Sequence, residues 1–166
     1  MEMKLGPLGD YSVGEKWEET GHDKISHIFV NYGKTSVKSI QFGYVENGAL
    51  VMSKRHGQKA DEEDSTRIVR LNHETEFVTG ISGEKSYSHL SSLTFHTNER
   101  KHLVFEAEFD LSRERRPPTR EFHSGIHDRR EFGGFFGSYS NWSFHSLGLY
   151  IRPILSGVQT IKQEDV

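Results

Sequence analysis

Ten histidines, twenty-four carboxylates and no cysteine are the side chains from which this chain could build a reactive site. The densest group is His123, His127 and Asp128. Histidines four residues apart share a face on a helix and can hold zinc together. Here Gly125 lies between them and the surroundings read as strand, so that geometry is lost and scattered surface histidines remain. There is no Gly-x-Ser-x-Gly, no phosphate-cradling loop and no thiol. Nucleophilic, phosphoryl and thiolate chemistry therefore lack their usual residues. The sequence predicts a protein that is not an enzyme and has no metal and no cofactor.

Recognition is the chemistry left, and it concentrates near the C-terminal end. Phe132 to Arg152, FGGFFGSYSNWSFHSLGLYIR, reads as a β-hairpin with a polar, aromatic tip from Ser138 to His145. Phe132, Phe135 and Phe136 alternate with glycines, and Phe144, Leu147, Leu149 and Ile151 form the second apolar run. Tyr139 and Trp142 stand among turn residues, either open to a ligand or folded back over the sheet edge. Asn141-Trp142-Ser143 is also a glycosylation sequon, silent in the cytosol.

The elements that position this tip are strands. With 16 glycines and 11 phenylalanines in 166 residues, the composition favours glycine-punctuated strands of one domain, and helical periodicity is absent. Leu5 to Trp17 reads as a strand and a glycine-rich loop, and Ile25 to Gly33 and Ser36 to Gly48 as strands. In the last of these, Ile40, Phe42 and Tyr44 share the apolar face with Lys38, opposite Val37, Ser39, Gln41 and Gly43. Asn47-Gly48 is a hairpin turn returning into Ala49 to Met52. Lys54 to Asp64, ending in four acidic residues, reads as a solvated loop. Thr66 to Leu71 and Glu76 to Ser82 are expected to pair, Gly83 to His89 to be a loop, and Leu93 to Phe95 and Leu103 to Phe109 to be strands. Ser112 to Thr119, broken by two prolines, is the least structured stretch, and residues 155–166 form a polar tail after a domain spanning 1–154.

Charge and hydropathy narrow the partners. A net charge of −3 supplies no field for nucleic acid or anionic lipid, and no apolar run is long enough to span a membrane. The basic residues Arg113, Arg115, Arg116 and Arg120 lack interleaved aromatics and read as a solvated loop. The N-terminal residues show no signal peptide, which predicts a cytoplasmic or nuclear location.

An internal repeat organises the strands. Ser39-Ile40-Gln41-Phe42, Ser92-Leu93-Thr94-Phe95 and Ser146-Leu147-Gly148-Leu149 begin 53 and 54 residues apart, and Ile28, Ile81 and Phe135 keep the same spacing. A unit of that length is too short to fold alone, so three copies must share one core. Three four-stranded antiparallel sheets packed as a triangular prism satisfy this, with pseudo-threefold symmetry; a trefoil-like barrel is the alternative.

Several short motifs now form an ordered set: Gly6-Pro7-x-Gly9 with Trp17-Glu18-Glu19, the SIQFGY strand with VENG after it, Val78 to Gly83, Ser92 to Asn98, and Gly134 to Gly137 leading to Leu147 to Tyr150. Together, from Lys4 to about Pro153, they resemble the jacalin-related plant lectins, most nearly their single-domain crucifer members. The resemblance implies an all-β β-prism that binds carbohydrate of the mannose or glucose type, with a place in plant defence. It implies glycans or glycoproteins as partners, and a homo-oligomer would add valence to shallow sites.

In that family the sugar site uses a glycine of the N-terminal loop, the loop after the VxGxSG strand, and a Gly-x-x-x-Asp segment of the last hairpin. By position these fall on Gly14, on Gly83 and Glu84, and on Asn141, Trp142, Ser143, Phe144 and His145. Asn141 stands where the family has glycine, and His145 where it has aspartate. An ionised carboxylate accepts from two sugar hydroxyls, whereas a neutral imidazole offers one acceptor and one donor. Two readings follow: a lectin of altered preference, in which Glu84 could supply a carboxylate, or a lectin fold that has lost sugar and binds protein through the same loops.

Overall fold

The computed structural model describes residues 2–22, 24–59, 61–107 and 118–154. Within them the chain forms β1 (Met3–Gly9), β2 (Glu15–Thr20), β3 (Ile25–Tyr32), β4 (Val37–Glu46), β5 (Ala49–Met52), β6 (His56–Gly57), β7 (Ser65–Arg70), β8 (Val78–Ser86), β9 (His89–Thr97), β10 (Lys101–Glu106), β11 (Arg120–His123), β12 (Phe132–Tyr139) and β13 (Phe144–Ile151). They make three antiparallel sheets, ordered β1-β13-β12-β2, β10-β9-β8-β11 and β5-β4-β3-β7. The short β6 pairs with Ser39 and Ile40 of β4, along the edge that β5 follows from Gly43 to Glu46. Four lanes therefore serve each sheet, and the predicted β-prism is what the chain adopts.

The repeat reappears as register. Each sheet is built on a central hairpin, and the landmark residues face each other across it: Ile28 with Phe42, Ile81 with Phe95, Phe135 with Leu149. All six are buried, each pair combining one phenylalanine with one aliphatic residue. In the third repeat the two have exchanged strands, which keeps the volume at the centre nearly constant. The rings meet on the axis: Phe42 and Phe135 stack with centroids 4.1 Å apart, and Phe95 meets Phe135 edge-on at 6.0 Å. The third hairpin is flanked by β1 and β2, so the two ends of the prism chain close one sheet.

Four local expectations are corrected. Val37 is fully buried with Ile40, because the register between β3 and β4 shifts beside Tyr32 and turns its side chain inward. Lys54 to Asp64 is not wholly solvated: His56 lies buried in β6, stacked on Trp17 at 3.8 Å and paired with Glu19. Residues 66–71 and 76–82 do not pair with each other; β7 joins β3, whereas β8 joins β9 and β11. The chain turns the corner between the two sheets at Asn72, whose carbonyl accepts from Thr75 and Glu76. Finally, Gly83 to His89 is mostly strand, since β8 runs to Ser86 and only Tyr87 and Ser88 turn. The expectations for 112–117, for Phe109 and for the tail from 155 fall outside the described residues.

Candidate functional site

Three loops meet at one end of the prism: residues 10–14 between β1 and β2, Tyr87 and Ser88 between β8 and β9, and residues 140–143 between β12 and β13. The first docks on the third through the backbone, Asp10 N donating to the His145 carbonyl at 2.9 Å. Ser138 Oγ lies 3.3 Å from the Asp10 carbonyl and 2.6 Å from Ser146 Oγ. Gly14, with φ of +87°, passes so close that a Cβ would press on the Tyr139 carbonyl and lie 2.9 Å from His145 Cδ2.

His145 is the hub. The residue is 2% exposed. Nδ1 bonds the carbonyl of Ser88, and Nε2 lies 2.8 Å from Ser140 Oγ. A neutral imidazole serves both, donating from Nδ1–H to the carbonyl and accepting the hydroxyl proton at Nε2. Both ring nitrogens are thereby spent on the protein, and neither is offered to a ligand. Burial holds the pKa of the nearby His89 below its ordinary value, and so does repulsion from His145 when both rings carry a proton.

The predicted residues divide sharply. Gly14, Asn141, Trp142, Ser143, Phe144 and His145 belong to this loop cluster. Asn141 and Trp142 are exposed, Trp142 by 71%. Ser143 and Phe144 are buried beneath them, with the Ser143 carbonyl accepting from Ser140 N at 2.9 Å and Phe144 stacked on Tyr139. Gly83 and Glu84 lie back along β8, opposite Leu93 and Ser92. Glu84 is 2% exposed and accepts from Thr119 Oγ1 at 3.2 Å, so its carboxylate is engaged inside the sheet and is not a rim acceptor.

Sequence reasoning missed Asp10 and Tyr87. Asp10 Oδ1 accepts from Ser12 N at 3.1 Å and Ser12 Oγ at 2.6 Å, leaving Oδ2 with no hydrogen bond among the described residues. These bonds, with Lys85 and His145 nearby, hold its carboxyl below the usual carboxylate range. The Asp-x-Ser spacing after Gly9 was the available signal, an aspartate bonding the backbone two residues on. Tyr87, φ +55°, stands 83% exposed on the turn that His145 clips. His127 and Asp128 do not join His123: His127 is exposed, and Asp128 caps a single turn of 3-10 helix and pairs with Arg130 at 2.7 Å, its pKa lowered to about 2.

No helix among the described residues is long and apolar enough to cross a membrane. The fold matches that of known proteins. The chain is similar to single-chain recombinant jacalin, with a TM-score of 0.73 at 20% identity over 92% of this chain and 95% of that one. A mannose-specific jacalin-related lectin from Morus nigra, solved with mannose, gives 0.71 at 18% identity over 91% and 94%. In sequence it is 42% identical to jacalin-related lectin 24 of Arabidopsis thaliana, over 97% of this chain and 72% of that protein. It is 32% identical to Protein RESTRICTED TEV MOVEMENT 1 of the same plant, over 98% and 95%. The jacalin-like lectin domain profile matches residues 5–150. The chain belongs to the jacalin-like lectin domain family, whose fold serves carbohydrate binding rather than catalysis.

Proposed function

We propose that this protein is a carbohydrate-binding lectin whose acceptor carboxylate has moved from position 145 to Asp10. The observation that supports this is the pairing of a sealed His145 with an ionised Asp10 whose Oδ2 has no hydrogen bond among the described residues, on the adjoining loop. Trp142 and Tyr87 add exposed rings at the rim, apolar faces of the kind that cover a sugar ring. Family membership and the mannose-specific Morus nigra relative favour mannose or glucose. The displaced acceptor favours an altered preference within that class. A glycan array followed by calorimetry tests the reading, with Asp10→Asn expected to weaken binding about 10- to 150-fold. No binding to any glycan would sink it, and unchanged affinity in Asp10→Asn would place the acceptor elsewhere.

The same sealed histidine supports a second reading, a lectin fold that binds protein through Trp142 and Tyr87 in place of sugar. Its mark is capture of a partner that survives enzymatic deglycosylation and falls with Trp142→Ala. A place in plant defence, which the family resemblance implies, belongs to the proposal as well. So does a cytoplasmic or nuclear location, which a fluorescent fusion of the full chain would check.

A further inference from the structure

On the outer face of the second sheet, strand pairing assembles side chains that the sequence keeps apart. Gly80 of β8 stands between His96 of β9 on one side and His123 of β11 on the other, both directly opposite it. Because Gly80 carries no side chain, the two imidazoles meet over it, ring centroids 4.8 Å apart. A Cβ there would lie 3.0 Å from His123 Nδ1. Glu121, two residues before His123 and therefore on the same face, places Oε1 2.8 Å from His123 Nε2 and 3.5 Å from His96 Nδ1. One ligand atom from each residue lies within 4.8 Å of the others.

We infer that His96, Glu121 and His123 form a zinc-binding site, separate from the sugar-binding loops.

The donor set is two imidazoles and one carboxylate, which with a water completes the four-coordinate arrangement zinc favours at three-ligand sites. His96 is the fixed member. It is 3% exposed, and its Nε2 lies 2.7 Å from Ser82 Oγ. With Nε2–H donating to that hydroxyl, the lone pair sits on Nδ1 and faces Glu121. A metal-binding histidine commonly has its second nitrogen anchored in this way. Glu121 and His123 have side chains 44% and 52% exposed, so they can rotate to bring the donors to the spacing of about 3.3 Å that a common zinc centre requires. Lys101 Nζ, 4.0 Å from Glu121 Oε1, competes for the carboxylate, but its side chain is 71% exposed and free to leave. Gly80 lies six residues before Ser86 along β8, about 20 Å from the sugar-binding loops.

The test is calorimetric titration of the full chain with zinc chloride, beside thermal melts with and without the metal. A single one-to-one event that raises Tm is expected. It should weaken by more than about tenfold in both His123→Ala and Glu121→Gln. It should persist in His127→Ala, a neighbouring exposed histidine outside the cluster. The two ligand variants change half-exposed side chains, so their metal-free melts should match wild type. Absence of a zinc event in wild type, or equal affinity in His123→Ala, would overturn the assignment.

Discussion

Asp10 gives its main-chain N–H to the carbonyl oxygen of His145 at 2.9 Å, and this bond ties the first loop of the chain to its last hairpin. The same histidine ring is clamped between Ser88 and Ser140, so one residue holds three loops in register.

Replacing it with the aspartate that the family resemblance implies at this position is the sharpest probe of that clamp. In His145→Asp a carboxylate would face the Ser88 carbonyl, which it cannot donate to, in a position almost closed to water. The folded state should lose about 1–3 kcal/mol, read as a lowered urea midpoint. Mannose affinity should not rise, because the new carboxylate points into the protein. A gain beyond about tenfold in calorimetry would show that the clamp is incidental.

The neighbouring His89 makes stability depend on pH. Its folded pKa is depressed from 6.5 by burial and by His145, whereas the unfolded chain titrates near the ordinary value. Between the two, the unfolded state holds more protons, so stability falls as pH drops through about 6.5 and levels below the folded pKa. Urea midpoints measured from pH 8 to 5 should show this decline, and His89→Gln should flatten part of it.

Gly14 is held at φ +87° against the last hairpin. Gly14→Ala should cost about 1–2 kcal/mol in backbone strain alone, with the clash against Tyr139 added. The loss should appear both in chemical denaturation and as weaker ligand binding, since the 10–14 loop must lift off His145.

At the centre of the prism, Phe135 touches one ring from each of the other two sheets. Phe135→Ala should remove about 3–5 kcal/mol and lower the unfolding midpoint as a single transition, because all three repeats share that contact. Trp142→Ala, at an exposed tip, should change stability by less than about 0.5 kcal/mol.

The prism was legible because a repeat records packing directly. Ile28, Ile81 and Phe135 recur at one spacing, and Phe42, Phe95 and Leu149 recur at the same spacing, since each pair must meet the same neighbours in the core. Turn chemistry was equally direct at Asn47-Gly48, where both residues take positive φ. Strand partners were not. Residues 66–71 and 76–82 both read as strands, yet nothing local says which sheet either will join. Ser-Gly-Glu-Lys-Ser has the composition of a loop and becomes strand because β9 pairs with it along its length, with β11 pairing Ser82 and Gly83 on the other side.

The site divides along the same line. From the sequence came the family resemblance, the loops to examine and the altered residues at 141 and 145, because type and order along the chain are local properties. Folding decided that His145 is sealed, that Glu84 is buried, that one Asp10 carboxylate oxygen has no hydrogen bond among the described residues, and that His96, Glu121 and His123 gather over Gly80. Each of these depends on contacts between residues distant in the chain. Burial and hydrogen bonding then decide whether a side chain is available to a ligand, and neither can be read from its type.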